Sequence, residues 1–149
     1  MKPNVGRTIL GGLSGTLAIT LLMYKAAPAM GLPEMDIAGM LGRMLGGWTP
    51  GLMMHFVNGI IIFPLVYAYF LFSKLPGAPA GKGVTLGVAL WLMTQLIVMP
   101  MMGAGIFGLK DGSFMTAMAS LIGHILYGAL LGWIAGHAEA EGAEHAAVA

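Results

Sequence analysis

Two histidines in this chain stand in the same local setting. His55 lies three residues after Leu52 and four before Gly59, and His124 lies three after Leu121 and four before Gly128, an offset of 69 residues. One helical turn before them sit Gly51 and Ser120. Residues at i, i+3 and i+4 share a helix face, so each imidazole is flanked by positions with little or no side chain. Two such rings facing each other across a bundle suit one haem b, because haem iron takes an axial imidazole on each side. His55 and His124 are then the ligands, with Gly51, Gly59, Ser120 and Gly128 giving clearance for the macrocycle. The plainer and leading reading is that no cofactor binds: each ring is neutral, hydrogen-bonds within the bundle and fixes helix register. An ionisable group inside a membrane is a functional candidate by default, and that function can be structural.

Methionine offers a second chemistry. The chain has 14, and Met99, Met101 and Met102 cluster where thioethers together with His55 suit Cu(I). Against this, methionine is a flexible filler of irregular apolar gaps. Polar residues within the apolar runs are few, among them Thr20, Asn58, Thr94, Gln95 and Ser120. No Asp, Glu, Lys or Arg stands in the middle of a run, which argues against a proton pump or ion-coupled transporter. A hydrolytic triad needs a base oriented by a carboxylate, and the nearest acids, Glu34, Asp36 and Asp111, fall in loops. No phosphate loop, zinc-protease helix or dinucleotide fingerprint is present. The expectation is a protein that is not an enzyme.

The elements that position these residues are helices in lipid. With 58% hydrophobic residues, 9% charged and a mean hydropathy of +0.85, the 149 residues lack the polar surface a water-soluble globule needs. A helix needs roughly 20 apolar residues to cross a bilayer, and four runs qualify: Thr8 to Tyr24, Leu52 to Phe72, Val84 to Met102, and Phe114 to Gly136. Gly11, Gly15, Pro28 and Gly31 recur 72 residues on as Gly83, Gly87, Pro100 and Gly103. The fold expected is therefore an all-α membrane protein of four transmembrane helices, built as a duplicated two-helix hairpin. Repeat one covers residues 8–73, repeat two 83–137, and a polar C-terminal tail 138–149. Two spans per repeat give both repeats the same direction, hence a pseudo-two-fold axis along the membrane normal. The small-x-x-x-small faces are expected to be contact surfaces, since close backbone approach holds helices together in lipid. Between the first two runs, Met35, Met40, Met44 and Leu45 recur at helical spacing behind Glu34 and Asp36, which predicts a short interfacial helix ending near Trp48. Pro28 and Pro100 are expected to end or kink their helices.

A net charge of +1 supplies no footprint for nucleic acid, and the absence of cysteine removes disulfides and thiolate sites. The basic start and Ala27-Pro28-Ala29 resemble a signal peptide, but the duplication makes this run the first helix of repeat one. Lys2, Arg7, Lys74 and Lys82 on one side against Lys25, Arg43 and Lys110 on the other favour both termini in the cytoplasm.

The second repeat, from Gly83-x-x-x-Gly87 through Gln95 and Met99-Pro100-Met101-Met102-Gly103 to Ser120 and Gly123-His124, resembles the small inner-membrane proteins of the YagU-like family. Those carry an Ala-Gln, a Phe-Pro-Leu-Met-Gly and a Phe-Gly-His-Leu segment in the same order. The resemblance implies four helices in a bacterial cytoplasmic membrane and no catalytic residues. The leading expectation is thus a non-catalytic accessory subunit of a larger respiratory or electron-transfer complex, whose partners are the bilayer and other membrane subunits. The alternatives are the haem-binding electron carrier and a small carrier or channel. A carrier requires Asn58, Thr94, Gln95 and Ser120 to line a common path.

Overall fold

A computed structural model describes residues 3–32, 34–110 and 114–148, with side chains as far as residue 136. Five α-helices account for it: α1 Val5–Ala29, α2 Ile37–Leu45, α3 Trp48–Leu71, α4 Pro79–Met101 and α5 Phe114–Val148. Four are long and apolar enough to cross a membrane, with Phe114–Gly136 the span within α5, so this is a multi-pass membrane protein. There is no strand among the described residues. Helices α1, α3 and α4 begin three to five residues before the apolar runs do, because their first turns are polar or proline-led. The Asn4 side chain caps α1, accepting from the Arg7 N–H at 3.1 Å. Pro79 opens α4 at a position where its missing N–H costs nothing. In the second connection Ile106–Gly108 forms a short 3-10 turn; the segment Lys110-Asp111-Gly112-Ser113, whose residue types suit a turn and helix cap, lies beyond Lys110 outside the described residues.

Helix α5 is the hub. Gly11 and Gly15 of α1 press on it, so that a Cβ at Gly11 would stand 2.9 Å from the Leu131 carbonyl oxygen and one at Gly15 2.8 Å from the Tyr127 ring. From the other side Gly83 meets Gly128 backbone to backbone, and Gly87 meets the His124 carbonyl. The glycine faces are contact surfaces as expected, and the surfaces they contact belong to this chain. The repeat relation pairs Gly11 and Gly15 with Gly83 and Gly87, yet the first pair packs across the repeat boundary and the second within its own repeat. The two-fold is therefore broken: α1 and α5 close tightly, and the equivalent α3 and α4 stand apart along part of their length. At the end of the bundle that holds the termini, Tyr67, Phe72, Leu86, Leu131 and Ala135 fill that space as a packed core. There the Tyr67 hydroxyl donates to the Pro79 carbonyl at 3.0 Å, and Lys82 donates to the Phe72 carbonyl at 2.8 Å while its ammonium sits 4.2 Å from the centre of that ring. A cation at the carbonyl end of a helix is favoured by the backbone dipoles.

Prolines shape the opposite half. Of four π-helical segments in the spans, Tyr67–Leu71 ends α3 in the core half, and the other three, Leu22–Ala26, Asn58–Ile62 and Thr94–Val98, start 36 residues apart each time. Each of these three ends two residues before a proline: Pro28, Pro64 and Pro100. A proline lacks an N–H and its ring clashes with the carbonyl four residues back; widening that turn to i→i+5 bonding removes the clash. The last wide bond before each proline is made, from Ala27 to Leu22, Phe63 to Asn58, and Met99 to Thr94. The next would need the proline N–H and is missing, which orphans the carbonyls of Met23, Gly59 and Gln95. In lipid such groups must find partners inside the protein. The Tyr127 hydroxyl donates to the Gly59 carbonyl at 2.8 Å, and the Met35 N–H reaches the Met23 carbonyl at 3.5 Å.

Met35 belongs to the segment leading into α2, the predicted interfacial helix. Asp36 caps it and gathers three donors on one oxygen, Oδ1: the Gly39 N–H at 2.9 Å, the Tyr24 hydroxyl at 2.7 Å and the Trp48 indole N–H at 3.0 Å. Gly46, with φ of 82°, ends the helix in the left-handed conformation that glycine adopts without strain. Gly51 of α3 fits beneath the Ala38 carbonyl, so α2 lies directly on the start of α3.

Two predictions follow from this packing. Gly83→Val drives a side chain into the Gly128 carbonyl and should cost about 3 kcal/mol or more in a detergent unfolding titration. Gly81→Ala on the same helix meets nothing within 4 Å and should be neutral or stabilising by up to about 1 kcal/mol; equal losses from both would refute the α4–α5 seam. The Gly39 N–H first, then the Tyr24 hydroxyl, hold the Asp36 carboxyl below the usual carboxylate range. Its contribution is thus present above the unfolded-state pKa and lost as pH falls through the lower folded value. Amide exchange of α2 should quicken over that acidic window, and Asp36→Ala should reproduce the loss at neutral pH, worth about 1 kcal/mol. Exchange in α2 that ignores both changes would show the cap to be idle.

Candidate functional site

The gap between α3 and α4 holds a cavity of about 150 Å³. All three proline-linked π segments contribute to its wall, through Met23, through Asn58 and Gly59, and through Thr94, Gln95 and Val98. Both histidines line it as well. The two imidazoles thus share one level of the bundle. A second cavity of about 470 Å³ shares the walls formed by Met35, Met40, Gln95, Met99 and Ser120 and reaches the exposed residues Glu34, Asp36 and Arg43. It is a vestibule on the face away from the termini, with α2 as its rim. Toward the termini the inner cavity ends at the core around Tyr67 and Leu131.

Hydrogen bonding fixes both rings. The Nδ1 of His124 lies 2.8 Å from the Ser120 carbonyl; a carbonyl only accepts, so Nδ1 carries the proton and Nε2 bears a lone pair. The Nε2 of His55 lies 2.9 Å from the Thr20 hydroxyl, which gives its own proton to the Thr16 carbonyl at 2.6 Å. His55 therefore donates from Nε2, and its Nδ1 bears the lone pair. The other hydroxyls of the wall are spent likewise: Thr16 on Gly12, Thr94 on Leu90 and Ser120 on Ala117, each to a backbone carbonyl. Because Ser120 uses its proton on Ala117, its oxygen accepts from the Trp91 indole at 3.1 Å and from the Gln95 amide nitrogen at 3.1 Å. That sets the Gln95 amide orientation and leaves its Oε1 buried without a partner. The hydroxyl protons of the wall are thus spent on backbone carbonyls, while its carboxamides, Asn58 and Gln95, still carry N–H groups.

The residues singled out from sequence divide accordingly. His55, His124, Gly59, Ser120 and Met99 line the inner cavity, and Met102 lines the vestibule. Met101 turns outward at 66% exposure. Gly51 is filled by α2, Gly128 by Gly83, and a Cβ on Gly59 would strike Thr16. These glycines make room for helices. A cavity of about 150 Å³ takes a benzene-sized guest or a few waters, so a tetrapyrrole between the imidazoles requires the helices to part. Among the described residues no three His, Asp or Glu side chains group as a metal site. Thr20, which orients His55, and Met23 and Met93 in the wall were not singled out by spacing. For Thr20 a signal existed, because Thr16 and Thr20 are one turn apart on an otherwise apolar helix.

No curated protein and no solved structure matches this chain. The likeness to the YagU-like proteins rests on the short motifs quoted above. Residues 3–145 match the family of unknown function DUF6789, and the chain belongs to that family.

Proposed function

We propose that this protein is a non-catalytic membrane carrier or binding protein that takes up a small ligand from one face of the membrane into a cavity at the level of the two histidines. The observation that carries this reading is convergence: Asn58, Thr94, Gln95 and Ser120, from three different spans, all meet on one cavity. Those are the residues a carrier path requires. Gln95 and Ser120 are joined by a hydrogen bond, and Asn58 and Thr94 face the same space from α3 and α4. π-Helical segments recur at functional sites, and here three surround one cavity. The vestibule supplies an entrance, and the core at Tyr67 and Leu131 closes the other end, as in the outward half of an alternating-access cycle. The charge bias of the loops, four basic residues against three, favours termini in the cytoplasm of a bacterial cell, which would set the vestibule on the far side of the cytoplasmic membrane.

The accessory-subunit reading takes glycine and methionine faces as its contact surfaces; the glycines of α1 and α4 meet α5 of this chain, while Met53, Met101 and Met115 stand exposed.

The sequence has no cysteine, so single cysteines report accessibility directly. Asn58→Cys and Thr94→Cys in oriented vesicles should react with a small, membrane-impermeant cationic thiosulfonate added on the side of α2. They should be protected from reagent on the termini side. Leu131→Cys, at 0% exposure, should stay unmodified from both sides and Lys74→Cys should react only from the termini side. Failure of Asn58→Cys and Thr94→Cys to react, or reaction equal from both sides, would remove the one-ended cavity.

A further inference from the structure

We infer that the cavity binds a soft monovalent metal ion of the Cu(I) class, taken between Nδ1 of His55 and Nε2 of His124 with methionine sulfur completing the site. This rests on the reading above that the cavity receives a small ligand, and it names that ligand's chemistry.

Three observations converge on it. First, each ring has its N–H bonded to an oxygen, the Ser120 carbonyl or the Thr20 hydroxyl, and its other nitrogen left as a lone pair. That is the arrangement by which proteins orient metal-binding imidazoles, with the outer hydrogen bond fixing tautomer and ring angle. A histidine serving register alone needs one hydrogen bond somewhere. Here both rings, on different spans, are held so that the free nitrogen belongs to a ring lining the same cavity.

Second, the remaining donors are soft. Met23, at 2% exposure, with Met93 and Met99 brings thioethers to the inner wall, and Met35 and Met40 bring two more from the segment and helix that cover it. No carboxylate lines the inner cavity, the chain has no cysteine, and among the described residues no third His, Asp or Glu joins the pair. Oxygen-seeking Mg²⁺ and Ca²⁺ find no ligands. Zn²⁺ wants four strong donors, or three and a water. Imidazole with thioether is the set that favours Cu(I).

Third, the approach suits a cation. Among the described residues lining the vestibule are Glu34 and Asp36 with Arg43, and the three donors on Asp36 hold its carboxyl below the usual carboxylate range. The ion then leaves an oxygen-rich mouth for a nitrogen and sulfur interior, a gradient that selects soft from hard ions.

The test uses the full chain in detergent under anaerobic, reducing conditions, titrated with Cu(I) against a chromophoric Cu(I) chelator and in parallel with redox-inert Ag(I). One ion per chain is expected, with nitrogen and sulfur neighbours at the copper absorption edge. Met99→Leu with Met93→Leu keeps core volume and should reduce the sulfur signal, and Met101→Leu should change nothing. Thr20→Val removes the hydroxyl that accepts from His55 and donates to the Thr16 carbonyl, and should weaken binding about 10- to 100-fold. His55→Ala with His124→Ala should abolish it. Absence of chelator-competitive binding by the folded protein, or binding undiminished in the double histidine variant, overturns the proposal. One-sided cysteine labelling without ion binding would sink the metal and leave the carrier reading standing; ion binding without one-sided labelling would do the reverse.

Discussion

A backbone carbonyl in a bilayer has no water to turn to, and that constraint organises the cavity half of this protein. Three prolines, each 36 residues from the next, delete one N–H from each of three spans. The helices respond by widening to π turns, and the carbonyls left over must be met from elsewhere. Tyr127 meets Gly59 across the bundle. Met35 meets Met23 from the segment that leads into the covering helix. The residues that define the cavity are therefore those that repair, or stand beside, the damage done by the prolines.

The duplication explains why a cavity exists at all. A strict two-fold would make the α3–α4 seam as tight as the α1–α5 seam. Instead the glycines of α4 turn to α5, where Gly128 offers a partner without a side chain. Close approach at facing small residues is among the strongest contacts available in lipid, and it draws α4 away from α3. Bulk on the termini side, from Tyr67 and Phe72, refills the gap there. Nothing comparable refills it at the level of His55, because that stretch of α3 presents Asn58 and Gly59. One broken symmetry thus separates a sealed half from a hollow half.

Much of this was legible in the residues. Four spans, the interfacial helix capped at Asp36 and the common level of the two histidines follow from apolar run length, capping chemistry and the 69-residue offset. The glycine stripes were legible as contact faces, but sequence does not say whose helix a stripe meets, and the partner is internal. Clearance at Gly51, Gly59 and Gly128 was misread for the same reason: a missing side chain records close approach without naming what approaches. Pro64 was open to discovery, lying midway between Pro28 and Pro100. Its effect was not, since π widening depends on whether a neighbour such as Tyr127 can satisfy the freed carbonyl. The tautomers of the histidines lie furthest from the sequence, because Thr20 and the Ser120 carbonyl act through tertiary geometry.

The covering helix and the cavity are one mechanical unit. Asp36 ties α2 to the end of α1 through the Tyr24 hydroxyl and to the start of α3 through the Trp48 indole. The Tyr24 hydroxyl in turn accepts from the Ala38 N–H at 2.9 Å. One residue before Tyr24, the Met23 carbonyl exposed by Pro28 takes the Met35 N–H. Lifting α2 from the cavity therefore breaks the Asp36 bonds and strips the Met23 carbonyl of its donor together. Each buried group left unmet costs about 1–3 kcal/mol, so the covered state is favoured until something supplies new contacts within. A guest that binds the free imidazole nitrogens and the thioethers of Met35 and Met40 would touch both the fixed wall and the cover. Uptake and closure would then be coupled through the same side chains, with Pro28 setting the threshold.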